Sequence, residues 1–160
     1  MRIVGIASGG GHLTELLAVC RHFPAFDVVL TEPGAVDRGS SGAFDLMPIV
    51  DCHRSPWLFL KNVLWAIRYW MRLRPAIVVS TGAGMAVPFY IISRITGSIC
   101  IFIESGARIN SPSITGRILY RFSNVFVIQS KELQKFYPRS LVASILPEGS
   151  FGDDFLSFRD

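Results

Sequence analysis

Three short polar clusters in this 160-residue chain combine residue types that can hold an anion and move a proton. The first is Ser8-Gly9-Gly10-Gly11-His12. Successive glycines let a backbone turn sharply and come close to a ligand. His12 stands at the lip of that turn, the one nearby side chain able to exchange a proton near neutral pH. The second cluster, Thr81-Gly82-Ala83-Gly84, is another glycine-rich turn with N–H groups to offer an anion. The third is Glu104-Ser105-Gly106-Ala107-Arg108. Glu104 can serve as a base or hold a sugar hydroxyl, and Arg108 can neutralise a diphosphate. Plainer readings stand beside these: a tight strand-to-helix connection with no ligand at Gly9–Gly11, and a structural ion pair between Glu104 and Arg108.

The glycines do not spell a known nucleotide motif. A dinucleotide fingerprint would follow Gly9 and Gly11 with glycine at position 14, where Thr14 stands. Glu32 can imitate the ribose-binding acid, but one acid does not repair the missing glycine. A Walker loop needs Gly-Lys-Ser/Thr at its end, which is absent. No carboxylate pair shows metal-ligand spacing, so neither a metal nor another cofactor is expected.

These clusters need a frame. Apolar runs at 3–7, 26–31, 45–50, 76–80, 99–103, 125–128 and 141–146 read as strands. Helical spacing marks 13–23, 56–73, 85–96, 112–123 and a short stretch at 131–136, while 32–43 reads as a glycine- and serine-rich loop. Strands alternating with helices predict an α/β, Rossmann-like parallel sheet with helices on both faces. Ligands of such sheets bind beyond the carboxyl ends of the strands, which is where all three clusters fall. One domain is expected over 1–146, with 147–160 as a tail. In that tail Phe151, Phe155 and Phe158 are four and three apart, one aromatic face for a partner subunit if helical. A frayed terminus is the alternative.

Half of the residues are hydrophobic, only 18% are charged, and the mean hydropathy is +0.40. That excess of apolar surface needs a membrane, a partner, or both. The net charge of +4 suits anionic lipid or diphosphate ligands. The basic residues are thinly spread and resemble no nucleic-acid module, so nucleic acid is not an expected partner. Cys20, Cys52 and Cys100 lie in or beside apolar runs and read as reduced thiols; His22 and His53 lack ligating neighbours. The N-terminus opens into a strand without a charged leader, so the cytoplasm is the expected compartment.

The 57–73 segment brings the membrane into the argument. At helical pitch Lys61, Arg68 and Arg72 share one narrow stripe, with Trp57 and Trp65 beside it. Most other directions are apolar. The charges make it a poor spanning helix, and suit one that rests on lipid with tryptophans at headgroup level and basic side chains snorkelling. The competing reading is a core helix with a solvated stripe.

Taken together, several motifs resemble one family. They are Ser8-Gly-Gly-Gly-His12, Ser80-Thr-Gly-Ala-Gly84 with Val87-Pro88, and Phe102-Ile-Glu-Ser-Gly-Ala-Arg108. Ser113-Ile-Thr-Gly-Arg-Ile-Leu-Tyr120, Val127-Ile-Gln129 and Tyr137-Pro138 continue the pattern. This is the asparagine-linked-glycosylation-fourteen type. The resemblance implies the N-terminal, acceptor-side half of a GT-B glycosyltransferase. It implies a separately encoded partner that binds the nucleotide sugar, and an acceptor saccharide on a polyprenyl diphosphate. With it, Gly9, Gly10, Gly11, Thr81, Gly82, Gly84, Ser105 and Arg108 become candidates for the acceptor diphosphate, and His12 and Glu104 for the base. Eukaryotic members carry an N-terminal membrane anchor; here attachment is expected through the 57–73 helix, on the cytoplasmic face. A non-catalytic anchor that recruits a complete transferase is the rival reading.

Overall fold

A computed structural model describes residues 1–19, 26–35, 44–50 and 55–145. Its strands are β1 (Ile3–Ile6), β2 (Val28–Thr31), β3 (Asp45–Pro48), β4 (Ile77–Ser80), β5 (Ile99–Ile103), β6 (Val125–Ile128) and β7 (Leu141–Val142). The helices are α1 (Gly11–Val19), α2 (Pro56–Leu73), α3 (Ala86–Ile95) and α4 (Ile114–Leu119). The strands form one sheet in the order β3-β2-β1-β4-β5-β6-β7, and every pairing is parallel. The order reverses between β1 and β4, the crevice where open sheets of this type hold ligands.

Alternation along the strands divides the core. Val4, Ile6, Val28, Leu30 and Val78 pack with α2, α3 and α4, in a cluster that includes Phe89, Tyr90, Phe102 and Phe126. Ile3, Val29, Val79 and Ile103 point the other way and meet Leu13, Leu16 and Val19 of α1. Gly5 belongs to this second side: a Cβ there would stand 3.0 Å from Leu16 Cδ2, so its absence lets α1 sit close to the sheet.

The sequence overextends several elements. The expected helix at 112–123 is a short α4 followed by a 3-10 turn, Tyr120–Phe122, and 131–136 is a 3-10 turn over Lys131–Lys135. The last strand is only two residues long. Apolar content carries a periodicity signal past the residues whose backbone groups find ladder partners. Cys20, His22, Cys52, His53, most of the 32–43 loop, and the tail with Phe151, Phe155 and Phe158 lie outside the described residues. Cys100 is buried and reduced, and burial pushes its thiol up to about 12.

Candidate functional site

The three polar clusters follow β1, β4 and β5, and they meet. His12, Gly82, Ala83, Ser105, Ala107 and Arg108 line one cavity of about 360 Å³. Ser113, Ile114 and Thr115, from the start of α4, complete its wall. Those last three open the family motif that starts at Ser113, to which the sequence assigns no site role.

A reciprocal pair of hydrogen bonds joins the first two loops. His12 Nδ1–H donates to Thr81 O at 2.9 Å, and Thr81 Oγ1 donates to His12 O at 2.6 Å. A carbonyl only accepts, so the neutral imidazole carries its hydrogen on Nδ1 and keeps its lone pair on Nε2. Gly82 makes room for the ring. Its φ is +131°, and a Cβ there would lie 2.8 Å from His12 Cε1. Ala83 follows at φ +76°, so two successive residues hold left-handed conformations at the cavity wall. For alanine that conformation is strained, and such strain clusters at functional sites.

Glu15 joins the third loop to α1. Its Oε1 accepts from Gly106 N at 2.8 Å and from Ser105 Oγ at 3.2 Å. Its Oε2 is shielded from solvent and has no hydrogen-bond partner among the described residues. Sequence reading passes over Glu15 because its partners lie about ninety positions away.

Glu104 lies behind the cavity wall. It is 1% exposed, and its Oε2 accepts from Ser113 N at 3.2 Å, Ser113 Oγ at 3.1 Å and Tyr137 OH at 3.0 Å. Burial, reinforced by the Glu104 charge and hydrogen bond, raises the Tyr137 hydroxyl above its usual range, so it stays a donor. Gly116 packs directly over this group; a Cβ there would collide with Glu104 Oε2. Three donors thus hold Oε2, which makes that oxygen an internal strut behind the cavity wall. The proposed ion pair gives way to the same arrangement, since Arg108 lies exposed at the cavity.

The glycine turn is divided. Gly10 has φ +74°, Gly11 opens α1, and a Cβ on either would meet nothing within 4 Å, so both face open space. Gly9 instead packs against Ala35 and the Glu32 carboxylate, 3.2 and 3.3 Å from where its Cβ would be. A carboxylate so close works against an anion at Gly9 itself. Gly84 is exposed on the way into α3. A larger cavity of about 550 Å³ lies at the opposite end of the sheet, between Arg2, Asp27, Asp45 and Arg72. Its polar groups serve the fold: Asp27 accepts from Ile3 N at 2.7 Å, and Arg2 donates to Leu73 O at 2.9 Å.

The α2 helix buries only Asn62, Ala66, Tyr69 and Leu73. Asn62 Nδ2 donates to Val50 O and Met85 O, each at 3.1 Å, and Tyr69 OH donates to Pro48 O at 2.7 Å. The inner face is thus partly polar, and the apolar residues turn outward. Trp57 is 76% exposed, Leu64 61%, Met71 57% and Leu60 50%. Trp65, Lys61, Arg68 and Arg72 are exposed too, the cations bordering the apolar arc. Among the described residues no helix is long and apolar enough to cross a membrane.

Two solved structures share this architecture. The crystal structure of Acinetobacter baumannii MurG superposes with a TM-score of 0.63 at 19% identity, over 90% of this chain and 44% of that one. The UDP-GlcNAc 2-epimerase of Methanocaldococcus jannaschii gives 0.65 at 11%, over 87% and 42%. The chain thus has the GT-B-like Rossmann fold and corresponds to less than half of either protein. In sequence it is 23% identical over 174 residues to the human UDP-N-acetylglucosamine transferase subunit ALG14, covering 88% of this chain and 81% of the human protein. The Saccharomyces cerevisiae subunit of the same name is 34% identical over 96 residues, 58% of this chain and 35% of that protein. Residues 51–146 match the family model described as oligosaccharide biosynthesis protein Alg14 like. Because that match spans more than half of the sequence, the chain belongs to the Alg14-like family.

Proposed function

We propose that this chain is the membrane-associated, acceptor-side subunit of a two-component glycosyltransferase. Its partner would be a separate chain that holds a nucleotide sugar, a UDP-sugar by analogy with the relatives' name. The acceptor would be a saccharide on a polyprenyl diphosphate. One observation carries the reading: His12, Gly82, Ser105 and Arg108 share a cavity at the carboxyl end of the sheet, with His12 held in the tautomer that leaves Nε2 as acceptor.

An acceptor hydroxyl attacks the anomeric carbon of the donor sugar. The new C–O bond forms as the bond to the nucleoside diphosphate breaks, and the hydroxyl proton passes to His12 Nε2. The free N–H groups at Gly11 and His12, with Arg108, would hold the acceptor diphosphate. Two domains closing on two substrates supply most of the rate by positioning. Glu104 enters as a positioning residue that fixes Ser113 at the cavity wall. The exposed arc of α2 would lie on the cytoplasmic leaflet, peripheral to the bilayer.

The α2 surface also favours the second reading, an anchor that recruits a complete transferase. Transfer by the co-expressed pair separates the two. The His12→Ala variant should lower kcat by about a hundredfold or more, the usual worth of general base catalysis. A near-normal rate, or full activity of the partner alone on a soluble acceptor, would establish the anchor instead.

A further inference from the structure

Glu15 ties the first turns of α1 to the loop that carries Arg108. It stands three residues after His12, so the two side chains are neighbours on one face of the helix. His12 meets the loop after β4, and Glu15 meets the loop after β5. Beyond Glu15 the hydrogen bonds continue. The Ser105 hydroxyl donates to Glu15 Oε1 and accepts from Ala107 N at 3.3 Å, while Arg108 N donates to Ser105 O at 2.9 Å. Residues 105–108 thus close as a turn around a hydroxyl that Glu15 fixes. Gln129 grips the same turn from β6: its Nε2 donates to Glu104 O at 3.1 Å, and a Cβ on Gly106 would stand 3.3 Å from its amide. Arg108 ends the turn and lines the cavity. The grip has a cost, because Glu15 Oε2 is shielded from solvent with no hydrogen-bond partner among the described residues, and such an orphan oxygen is unfavourable.

We propose that Glu15 is a positioning residue, which holds the 105–108 turn so that Arg108 meets the acceptor diphosphate at a set distance from His12. The inference rests on the diphosphate reading of this cavity. Glu15 does not itself line the cavity, so it acts through Ser105 and Gly106. A carboxylate close to a bound anion repels it. Charge at position 15 therefore works against the diphosphate, and only the hydrogen bonds work for it. That fixes the signs of two substitutions. Glutamine removes the charge and keeps an acceptor for Gly106 N, so it spares binding. Alanine removes the acceptor as well and releases the turn.

Inorganic pyrophosphate titrated into the full chain, followed by the amide resonances of residues 105–108, tests the assignment. Glu15→Ala should weaken pyrophosphate binding about tenfold, the worth of one charge-assisted contact. Glu15→Gln should restore it to the wild-type level or better. Arg108→Ala should weaken it by a similar factor, and Glu15→Ala added to Arg108→Ala should weaken it no further, since Glu15 acts through that side chain. A merely structural role would lower the denaturation midpoint without this rescue or this loss of additivity. Ser105→Ala cuts the same link from the loop side and keeps the test decisive if Glu15→Ala fails to fold. It should weaken binding in the same direction and fall silent beside Arg108→Ala. Undiminished binding by the position-15 and position-105 alanine variants overturns the proposal. So does a failure of glutamine to restore binding, or an effect that adds in full to that of Arg108→Ala. A wild-type chain that binds no pyrophosphate would remove the diphosphate reading itself, and the proposal with it.

Discussion

The contact between His12 and Gly82 sets the sharpest constraint on single residues. An alanine at 82 would have to adopt a φ of +131° and displace an imidazole ring. Gly82→Ala should therefore cost about 2 kcal/mol of stability, from backbone strain and overpacking. In chemical denaturation that appears as a lower midpoint, and unchanged stability would show that the loop relaxes freely. Cys100 gives a pH dependence. Its thiol titrates at 9.0 in the unfolded chain and near 12 when folded. The folded state then holds more protons between those values, so stability is flat below pH 9 and falls above it. The loss is about 1.4 kcal/mol per pH unit for this group. Buried Tyr90 and Tyr137, both shifted upward, steepen the fall above pH 10. Cys100→Ala should flatten the curve between pH 9 and 10; an identical slope in both proteins excludes the thiol as its source.

His12, Gly82, Ser105 and Arg108 are legible in the sequence because glycine-rich strand ends advertise themselves. The inward contacts of Glu104 are less legible: a carboxylate at the end of a strand reads alike whether it faces a ligand or the core. The missed clue is Gly116. A glycine inside a helix is intrinsically unfavourable, and it signals a close approach, here by the Glu104 carboxylate. Glu15 leaves no such mark, and Tyr137, though part of the family motif, carries nothing that shows what its hydroxyl bonds.

Among the elements, α2 runs over the 56–73 stretch that helical spacing marks, yet its orientation does not follow from periodicity. Apolar residues occupy most directions, so a rule of apolar-inward cannot choose. The choice falls to polar inward contacts, from Asn62 to the Val50 and Met85 carbonyls and from Tyr69 to the Pro48 carbonyl. What remains outside is an apolar arc beside Lys61, Arg68 and Arg72. Each cation near an anionic leaflet contributes about 1 kcal/mol. Replacing all three with alanine should weaken vesicle binding by about 3 kcal/mol, on the order of a hundredfold, at low salt. Trp57→Ala with Leu64→Ala should weaken it at any salt. Co-sedimentation with phosphatidylserine vesicles measures both, and equal binding by all variants would remove α2 from the membrane.

At the scale of the whole molecule, one Rossmann-like domain has one crevice, and two substrates must meet there. The partner is expected to bring the donor. Calorimetry should find negligible nucleotide-sugar binding by this chain alone and clear binding by the pair. Tight binding by the isolated chain would make it a single-chain nucleotide enzyme instead. Fold class at this scale follows from the alternation of strands and helices. The order β3-β2-β1-β4-β5-β6-β7 does not, because it depends on how the crossovers run, which composition cannot express.

The way α2 is fastened also fixes the attitude of the protein. Asn62 is tied near the carboxyl end of the sheet, while the last carbonyls of α2 meet Arg2 at the other end. A helix lying flat among headgroups would hold the strands flat as well. The crevice would then open sideways, along the plane of the leaflet. Acceptors would arrive edge-on by lateral diffusion, and the donor-carrying chain would have to ride alongside on the same surface, not above it.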